Sequence, residues 1–191
     1  MDLRQRLFEY RSYTPIPFIL AMLLLARPTV FSFAAGFLLV LAGESVRLWG
    51  VAIAGSETRT TGPVGGTYLI TRGPFSFVRN PLYLGNIVMY AGVGIMSNTP
   101  VLAAAALVYF VFQYSLIVSL EEEYLLKTFG EEFTRYCRSV PRFLPKIPGY
   151  RGGPEIQPDL DWTRGFHSEK RTLQAIALLV AGLSLLWYAR G

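Results

Sequence analysis

Long uncharged apolar runs alternate along this chain with short stretches in which the charges, prolines and glycines are gathered. Residues 81–100, 101–120 and 172–189 carry no charged side chain, and each run is close to the roughly 20 residues a helix needs to cross the hydrocarbon core. A shorter uncharged run, 12–26, is separated by Arg27 and Pro28 from a segment that begins at Thr29 and reads as one helix to about Ala54. These two segments read as a helical hairpin. Residues 81–96 and 101–120 make a second hairpin, joined by the tight turn Ser97-Asn98-Thr99-Pro100, and Pro81 suits a first helical turn because its missing N–H costs nothing there.

After the fourth span the pattern becomes amphipathic. Leu125, Phe129, Phe133, Tyr136 and Val140 recur at helical spacing, with Lys127, Glu131, Thr134, Arg135 and Arg138 mostly on other faces. This predicts a helix that continues span four into the cytoplasm or lies along the interface, with Gly130 as its weak point and a place to bend. Residues 56–80 form a loop punctuated by Gly62, Pro63, Gly65, Gly66, Gly73 and Pro74, with room for a short extended piece at 67–71. Residues 146–158 read as a Pro- and Gly-rich linker, and the polar stretch 159–171 leads into the last span.

The expected fold is therefore all-α: a polytopic integral membrane protein of about five transmembrane helices, two helical hairpins among them, with a cytoplasmic amphipathic helix. It forms a single domain over 1–191, with a core at 73–145 that bears the motifs described below, and a C-terminal linker and last span at 146–191. Composition agrees, since 52% of residues are apolar and only 16% charged, against roughly a quarter charged in soluble domains. A net charge of +5 in a soluble chain would suggest nucleic acid; here the distribution says membrane. With a cytoplasmic N-terminus and five alternating spans, all of the 18 basic residues except Arg27, Arg47 and Arg190 fall on the cytoplasmic side, as the positive-inside rule requires. In a prokaryote the membrane is the plasma (inner) membrane. The N-terminus lacks an apolar h-region before a cleavage site, so a removable signal peptide is not expected.

Cys137 is the only cysteine, which excludes an intrachain disulfide and a Cys-rich metal site; no metal is expected. Glu44 and Arg47 stand one turn apart inside span two, either as an internally satisfied pair or as the lining of a polar cavity. Nucleotide-binding glycine loops and paired-His metal motifs are absent, so a polar cofactor must be held by the ends of membrane helices. Two segments have suitable composition: Arg79 to Asn86 at the start of span three, and Glu121-Glu122-Glu123 at the end of span four. Taken singly, the first is equally an interfacial anchor and helix start, and the second a solvated helix end. Because spans three and four run antiparallel, however, both segments lie at the same end of one hairpin. Free amides at a helix start favour anions and carboxylates favour cations, so a zwitterionic amino-acid moiety satisfies both.

The motifs extend further. Arg79-Asn80-Pro81-Leu82-Tyr83-Leu84-Gly85 is followed about 40 residues later by Glu121-Glu122, then by Phe129-Gly130-Glu131-Glu132-Phe133-Thr134-Arg135-Tyr136, and then by Val140-Pro141-Arg142-Phe143-Leu144-Pro145. This ordered set, over about 73–145, resembles the membrane-embedded methyltransferases grouped with isoprenylcysteine carboxyl methyltransferase and the phospholipid methyltransferases. The resemblance implies S-adenosylmethionine as donor. Arg79, Asn80, Pro81, Tyr83, Leu84 and Gly85 would line it, and Glu121 and Glu122 would hold its amino group and ribose hydroxyls. Asn80 stands where better-known members have His; Asn still donates and accepts hydrogen bonds, but it does not titrate.

The expected reaction is in-line methyl transfer to a lipid-like or prenylated acceptor in the bilayer, with no nucleic-acid partner. A carboxylate acceptor needs an orienting cation, for which Arg142, Arg79 and Arg164 are candidates. An amine acceptor needs a base, for which Glu169 and His167 are candidates. The competing readings are an NADPH-dependent membrane reductase of the sterol reductase type, which requires an additional basic phosphate site, and a small transporter or non-enzymatic membrane partner. The latter fits poorly with polar groups that collect at one membrane face.

Overall fold

The computed structural model describes residues 2–55 and 67–190. Among these, the chain forms helices α1 (Leu3–Tyr10), α2 (Pro15–Leu24), α3 (Val30–Ala54), α4 (Pro81–Met96), α5 (Pro100–Ser139) and α6 (Trp162–Arg190), with a 3-10 turn at Gly73–Ser76. Their starts follow from local chemistry. The Asp2 carboxylate accepts from the Arg4 N–H to cap α1, and Thr29 and Ser32 form a reciprocal capping box on α3. Pro15, Pro81 and Pro100 occupy the first positions of α2, α4 and α5.

The chain is an all-helical polytopic membrane protein. Helices α3, α5 and α6 are long and apolar enough to span a bilayer. Helix α4, with 16 residues, reaches about 24 Å, and α2, with 10, about 15 Å. The short α2 changes the expected first hairpin: it directly precedes α3 in chain order but packs against α5 and α4 instead. The tight turns on the far side are tied together, with the Arg27 N–H donating to Ser97 O at 3.0 Å and Asn98 Nδ2 donating to Arg27 O at 3.0 Å. These two bonds hold the α2–α3 and α4–α5 connections at one level.

Helices α3 and α4 form the tightest pair. Glycines at seven-residue spacing on α3 (Gly36, Gly43) meet glycines at the same spacing on antiparallel α4 (Gly92, Gly85). A Cβ on Gly43 would lie 2.6 Å from Gly85 O, and one on Gly36 would lie 2.3 Å from Met96 N. Backbone-to-backbone approach of this kind is how spans associate where the solvent offers no hydrophobic drive. Phe110, Tyr114, Met22, Met96 and Val40 fill the rest of the core, and Leu183 brings α6 into it. Phe31, Val101, Leu178 and Val108 are strongly exposed and face where the lipid lies.

Helix α5 has 40 residues, broken at Gly130 with φ 53° and ψ −122°. A Cβ there would meet nothing within 4 Å, so glycine is required by the backbone angle and not by crowding. The bend expected at this glycine is thus present. It turns the last stretch of α5 back, so that Tyr136 Oη donates to Phe75 O at 2.7 Å and a second small core forms from Leu69, Phe133, Tyr136 and Val140. The extended piece expected at 67–71 forms no strand. Its polar groups are met instead by one linker side chain: Gln157 Nε2 donates to Leu69 O at 2.8 Å, and the Thr71 N–H donates to Gln157 Oε1 at 2.9 Å. The Gly62, Pro63, Gly65, Gly66 and Arg59 positions lie outside the described residues.

Candidate functional site

The starts of α4 and the end of the apolar part of α5 meet at one end of the bundle. Tyr83 Oη donates to Glu121 Oε1 at 2.7 Å. One turn earlier, Arg79 Nε donates to Glu122 Oε1 at 3.0 Å, while Arg79 Nη1 donates to the carbonyls of Cys137 and Val140 at 2.9 and 3.0 Å. Arg142 closes on the same carboxylate, through Nε at 3.3 Å and through Nη2 to Glu122 Oε2. Asn80 Nδ2 donates to Arg142 O at 3.2 Å, and the Arg79 N–H donates to Pro141 O at 2.9 Å. The fold-back at Gly130 is what brings residues 137–142 within reach. The two segments singled out in the sequence are therefore joined, and the Val-Pro-Arg stretch is joined to both.

The adjacent glutamates are sorted into different tasks. Glu122 is neutralised by two guanidiniums and acts as a clamp. Glu121 accepts one neutral hydrogen bond, and its other oxygen accepts none among the described residues. Glu123 points away, exposed, to Arg4 at 3.2 Å and Lys127 at 2.7 Å. The Asn80 side chain does not cap α4, so the first-turn N–H groups of Leu82 and Tyr83 lack a capping side chain and have the helix dipole behind them.

Other expected site residues sit elsewhere. Gly85 is buried against α3, where a Cβ would meet Arg47 Cγ at 2.6 Å and Gly43 O at 2.7 Å; helix packing accounts for its lack of a side chain. Pro81 is buried and Leu84 half-buried. Glu169 is fully buried on α6, with both oxygens 2.9 Å from Arg47 Nη2. His167 is exposed on the same helix, and Arg164 pairs there with Asp161 at 3.7 Å.

Arg47 is the hub of a second polar group that the sequence only half disclosed. Besides Glu169, it donates to Asn86 Oδ1 at 2.6 Å and lies 3.5 Å from Glu44. Asn86 Nδ2 in turn donates to Tyr114 Oη at 3.2 Å, and the Tyr114 ring packs on Tyr83 with centroids 4.7 Å apart. A continuous chain of contacts thus runs from α6 through α3, α4 and α5 to Glu121. Asn86, three residues beyond Tyr83 on an apolar helix, was the available signal for it. Outside the spans, burial raises the Cys137 thiol above its ordinary range, with Arg79 opposing the shift, so this thiol is not primed for nucleophilic work.

Residues 31–132 match the family model for phospholipid methyltransferases. The chain belongs to the phospholipid methyltransferase family. Among curated proteins, the cobalt-zinc-cadmium resistance protein CzcN of Cupriavidus metallidurans is 31% identical over 73% of this chain and 57% of its own length. Protein-S-isoprenylcysteine O-methyltransferase of Rattus norvegicus is 32% identical over 63% of this chain and 43% of its own. Methanethiol S-methyltransferase 1 of Bradyrhizobium diazoefficiens is 34% identical over 37% of this chain and 24% of its own. The chain spans about half the length of the first of these relatives and less of the others. The family match begins in α3, covers all of α4 and ends two residues past Gly130, so it contains Arg79, Tyr83, Glu121 and Glu122 but stops short of Arg142 and Glu169.

Proposed function

We propose that this member of the phospholipid methyltransferase family is an S-adenosylmethionine-dependent methyltransferase whose donor site lies at the cytoplasmic ends of α4 and α5. The observation that carries the reading is the clasp of Arg79 and Arg142 on Glu122, beside the Tyr83–Glu121 pair. The residues present fit the donor's chemistry. Uncapped N–H groups at the start of α4 suit its carboxylate, the uncommitted oxygen of Glu121 suits its ammonium, and Asn80 and Tyr83 offer hydrogen bonds to its polar rim. When bound, the donor supplies a methyl group on a sulfonium, transferred in line to a nucleophile held about 3 to 3.5 Å away.

In this reading Glu122 keeps the two helix ends and the 140–142 segment together, and Arg79 is a cross-tie fully used by Glu122 and two carbonyls. Arg142, with its side chain 39% exposed against 14% for Arg79, is the more accessible of the two cations, and the one that would orient a carboxylate acceptor while it grips Glu122. For an amine acceptor the base would be the exposed His167, since both oxygens of buried Glu169 accept from Arg47; Glu169 then positions Arg47 and, through Asn86, the face of α4 behind Tyr83. The acceptor is membrane-borne and amphiphilic, because the site opens where helices leave the bilayer. The isoprenylcysteine, methanethiol and phospholipid names among the relatives mark oxygen, sulfur and nitrogen nucleophiles as the acceptors to compare.

Calorimetry on the purified full chain is expected to detect S-adenosylhomocysteine binding that is lost in Glu121→Ala. Binding unchanged by that substitution would overturn the site, and NADPH binding in its place would overturn the reaction. Labelled methyl donor given to membranes, followed by separation of lipid, protein and volatile fractions, identifies the acceptor.

A further inference from the structure

A hollow of about 560 Å³, lined by Ser139, Lys146, Pro148, Gly149, Tyr150 and Arg151, shares no lining residue with the clasp described above. Its wall is held in place at several points. The Lys146 N–H donates to Phe77 O at 2.9 Å, and the Tyr150 N–H donates to Ser76 O at 2.8 Å. Tyr150 packs on Tyr136 with ring centroids 5.6 Å apart. A Cβ on Gly149 would lie 2.7 Å from Ser76 Oγ, so the linker seats its backbone directly on the 3-10 turn.

The depth of this wall in the membrane follows from its neighbours. Phe77 packs on Trp49, about one and a half turns before the end of α3, with centroids 6.2 Å apart. Further along the linker, the Asp161 N–H donates to Ala52 O at 2.9 Å. The linker therefore runs at the level of the last turns of α3 and the first turn of α6, where spans leave the hydrocarbon. At that level Leu144 is 78% and Ile147 84% exposed. Lys146 stands between them in sequence, and Arg151 follows. Neither cationic side chain has a hydrogen bond or ion pair among the described residues, and Arg135 and Arg138 add exposed positive charge from the end of α5.

Exposed apolar side chains interleaved with unpaired cations at interfacial depth match a headgroup region, with acyl carbon on one side and phosphate on the other. We propose that Lys146 and Arg151 form a docking site for the phosphate of an anionic membrane lipid, which enters the hollow while Leu144 and Ile147 rest among its chains. The occupant is a bound lipid distinct from any methyl acceptor, and the proposal stands on the membrane fold independently of the donor site.

Native mass spectrometry of the full chain, released from mild detergent with added phosphatidylglycerol or phosphatidylcholine, tests it. Phosphatidylglycerol is expected to be retained preferentially. Its apparent affinity should fall about five-fold in Lys146→Gln or Arg151→Gln and about twenty-fold or more in the double variant, with Lys146→Arg restoring it. Arg27→Gln, on the opposite face, should leave it unchanged. Equal retention of the two lipids, indifference to the double variant, or displacement by millimolar inorganic phosphate would overturn the assignment. S-adenosylhomocysteine binding by the double variant should equal that of the parent, which separates this site from the donor site and reports that the variant is folded.

Discussion

Glu169 is the residue on which a catalytic and a structural role are most sharply opposed, and its surroundings supply the magnitude. Its side chain is 1% exposed, that of Arg47 is 14% exposed, and both Glu169 oxygens lie 2.9 Å from the same guanidinium nitrogen. Glu169→Ala would leave Arg47 with Asn86 and with Glu44 at 3.5 Å. Removing one partner of a buried ion pair costs about 3 to 5 kcal/mol in soluble proteins. Polar contacts between spans measure smaller, averaging about 0.6 kcal/mol and reaching about 1.7, because the unfolded chain in the membrane also finds partners. A loss of about 1.5 to 3 kcal/mol is the resulting expectation. Arg47→Met paired with Glu169→Leu should recover only part of it, since the pair removed together leaves neither of its own charges buried but takes the Arg47 cation away from buried Glu44, 3.5 Å from it. The measurement is reversible unfolding in bicelles of the parent, Glu169→Ala, and the Arg47→Met, Glu169→Leu and double variants. A loss under about 0.5 kcal/mol in Glu169→Ala, accompanied by abolished methyl transfer and retained donor binding, would refute the structural role and return Glu169 to the place of a base.

Three further outcomes are expected. Gly43→Ala should destabilise the bundle by about 1 to 3 kcal/mol, because the new Cβ would meet Gly85 O at 2.6 Å and backbone cannot rotate away; the same unfolding assay reads it. Gly130→Ala should cost about 1 to 3 kcal/mol from its φ of 53° alone, and should increase proteolysis within 131–145 as the second small core loosens; unchanged cleavage would show that the fold-back does not depend on this angle. Burial raises the folded-state Cys137 thiol, so more of it stays protonated at a given pH than in an exposed thiol. Its alkylation at pH 7 should accordingly be slower than that of the unfolded chain, and the gap should narrow as pH rises past the ordinary thiol range near 8.5; equal rates at pH 7 would contradict the burial.

What the sequence made legible divides along a physical line. Helices α3 to α6 were readable because lipid imposes a one-dimensional rule, a run of apolar residues of the right length, and the Gly130 bend was readable because glycine is the residue that admits its backbone angle. The partnering of helices was not readable in the same way. Residues 12–26 were expected to pair with the helix that follows, yet α2 is short and lies against α5 and α4, because α3 spends its small-residue face on α4. Gly36 and Gly43, spaced by seven residues and matched by Gly85 and Gly92, already carried that choice.

The same cause explains how the candidate site residues were sorted. From Pro81 onward the motif is a stretch of helix, with Arg79 and Asn80 just before its start, and a helix presents successive residues to different neighbours. Arg79, Asn80 and Tyr83 reach toward α5 and the 140–142 segment, while Gly85 and Asn86 reach α3 and Arg47. A motif read along the chain merges these two faces into one site; the structure separates them into a set that faces α5 and the 140–142 segment and a set that packs on α3. The separation also explains why one stretch can hold so many constrained positions: Tyr83 must meet Glu121 on one side while, two residues on, Gly85 must admit the backbone of α3 on the other. A substitution at either face would shift α4 and thereby move both. If the proposed donor site holds, donor binding and bundle stability should be coupled through α4, whereas Glu121→Ala, which removes a single side-chain bond to Tyr83, is expected to abolish donor binding with the packing left intact.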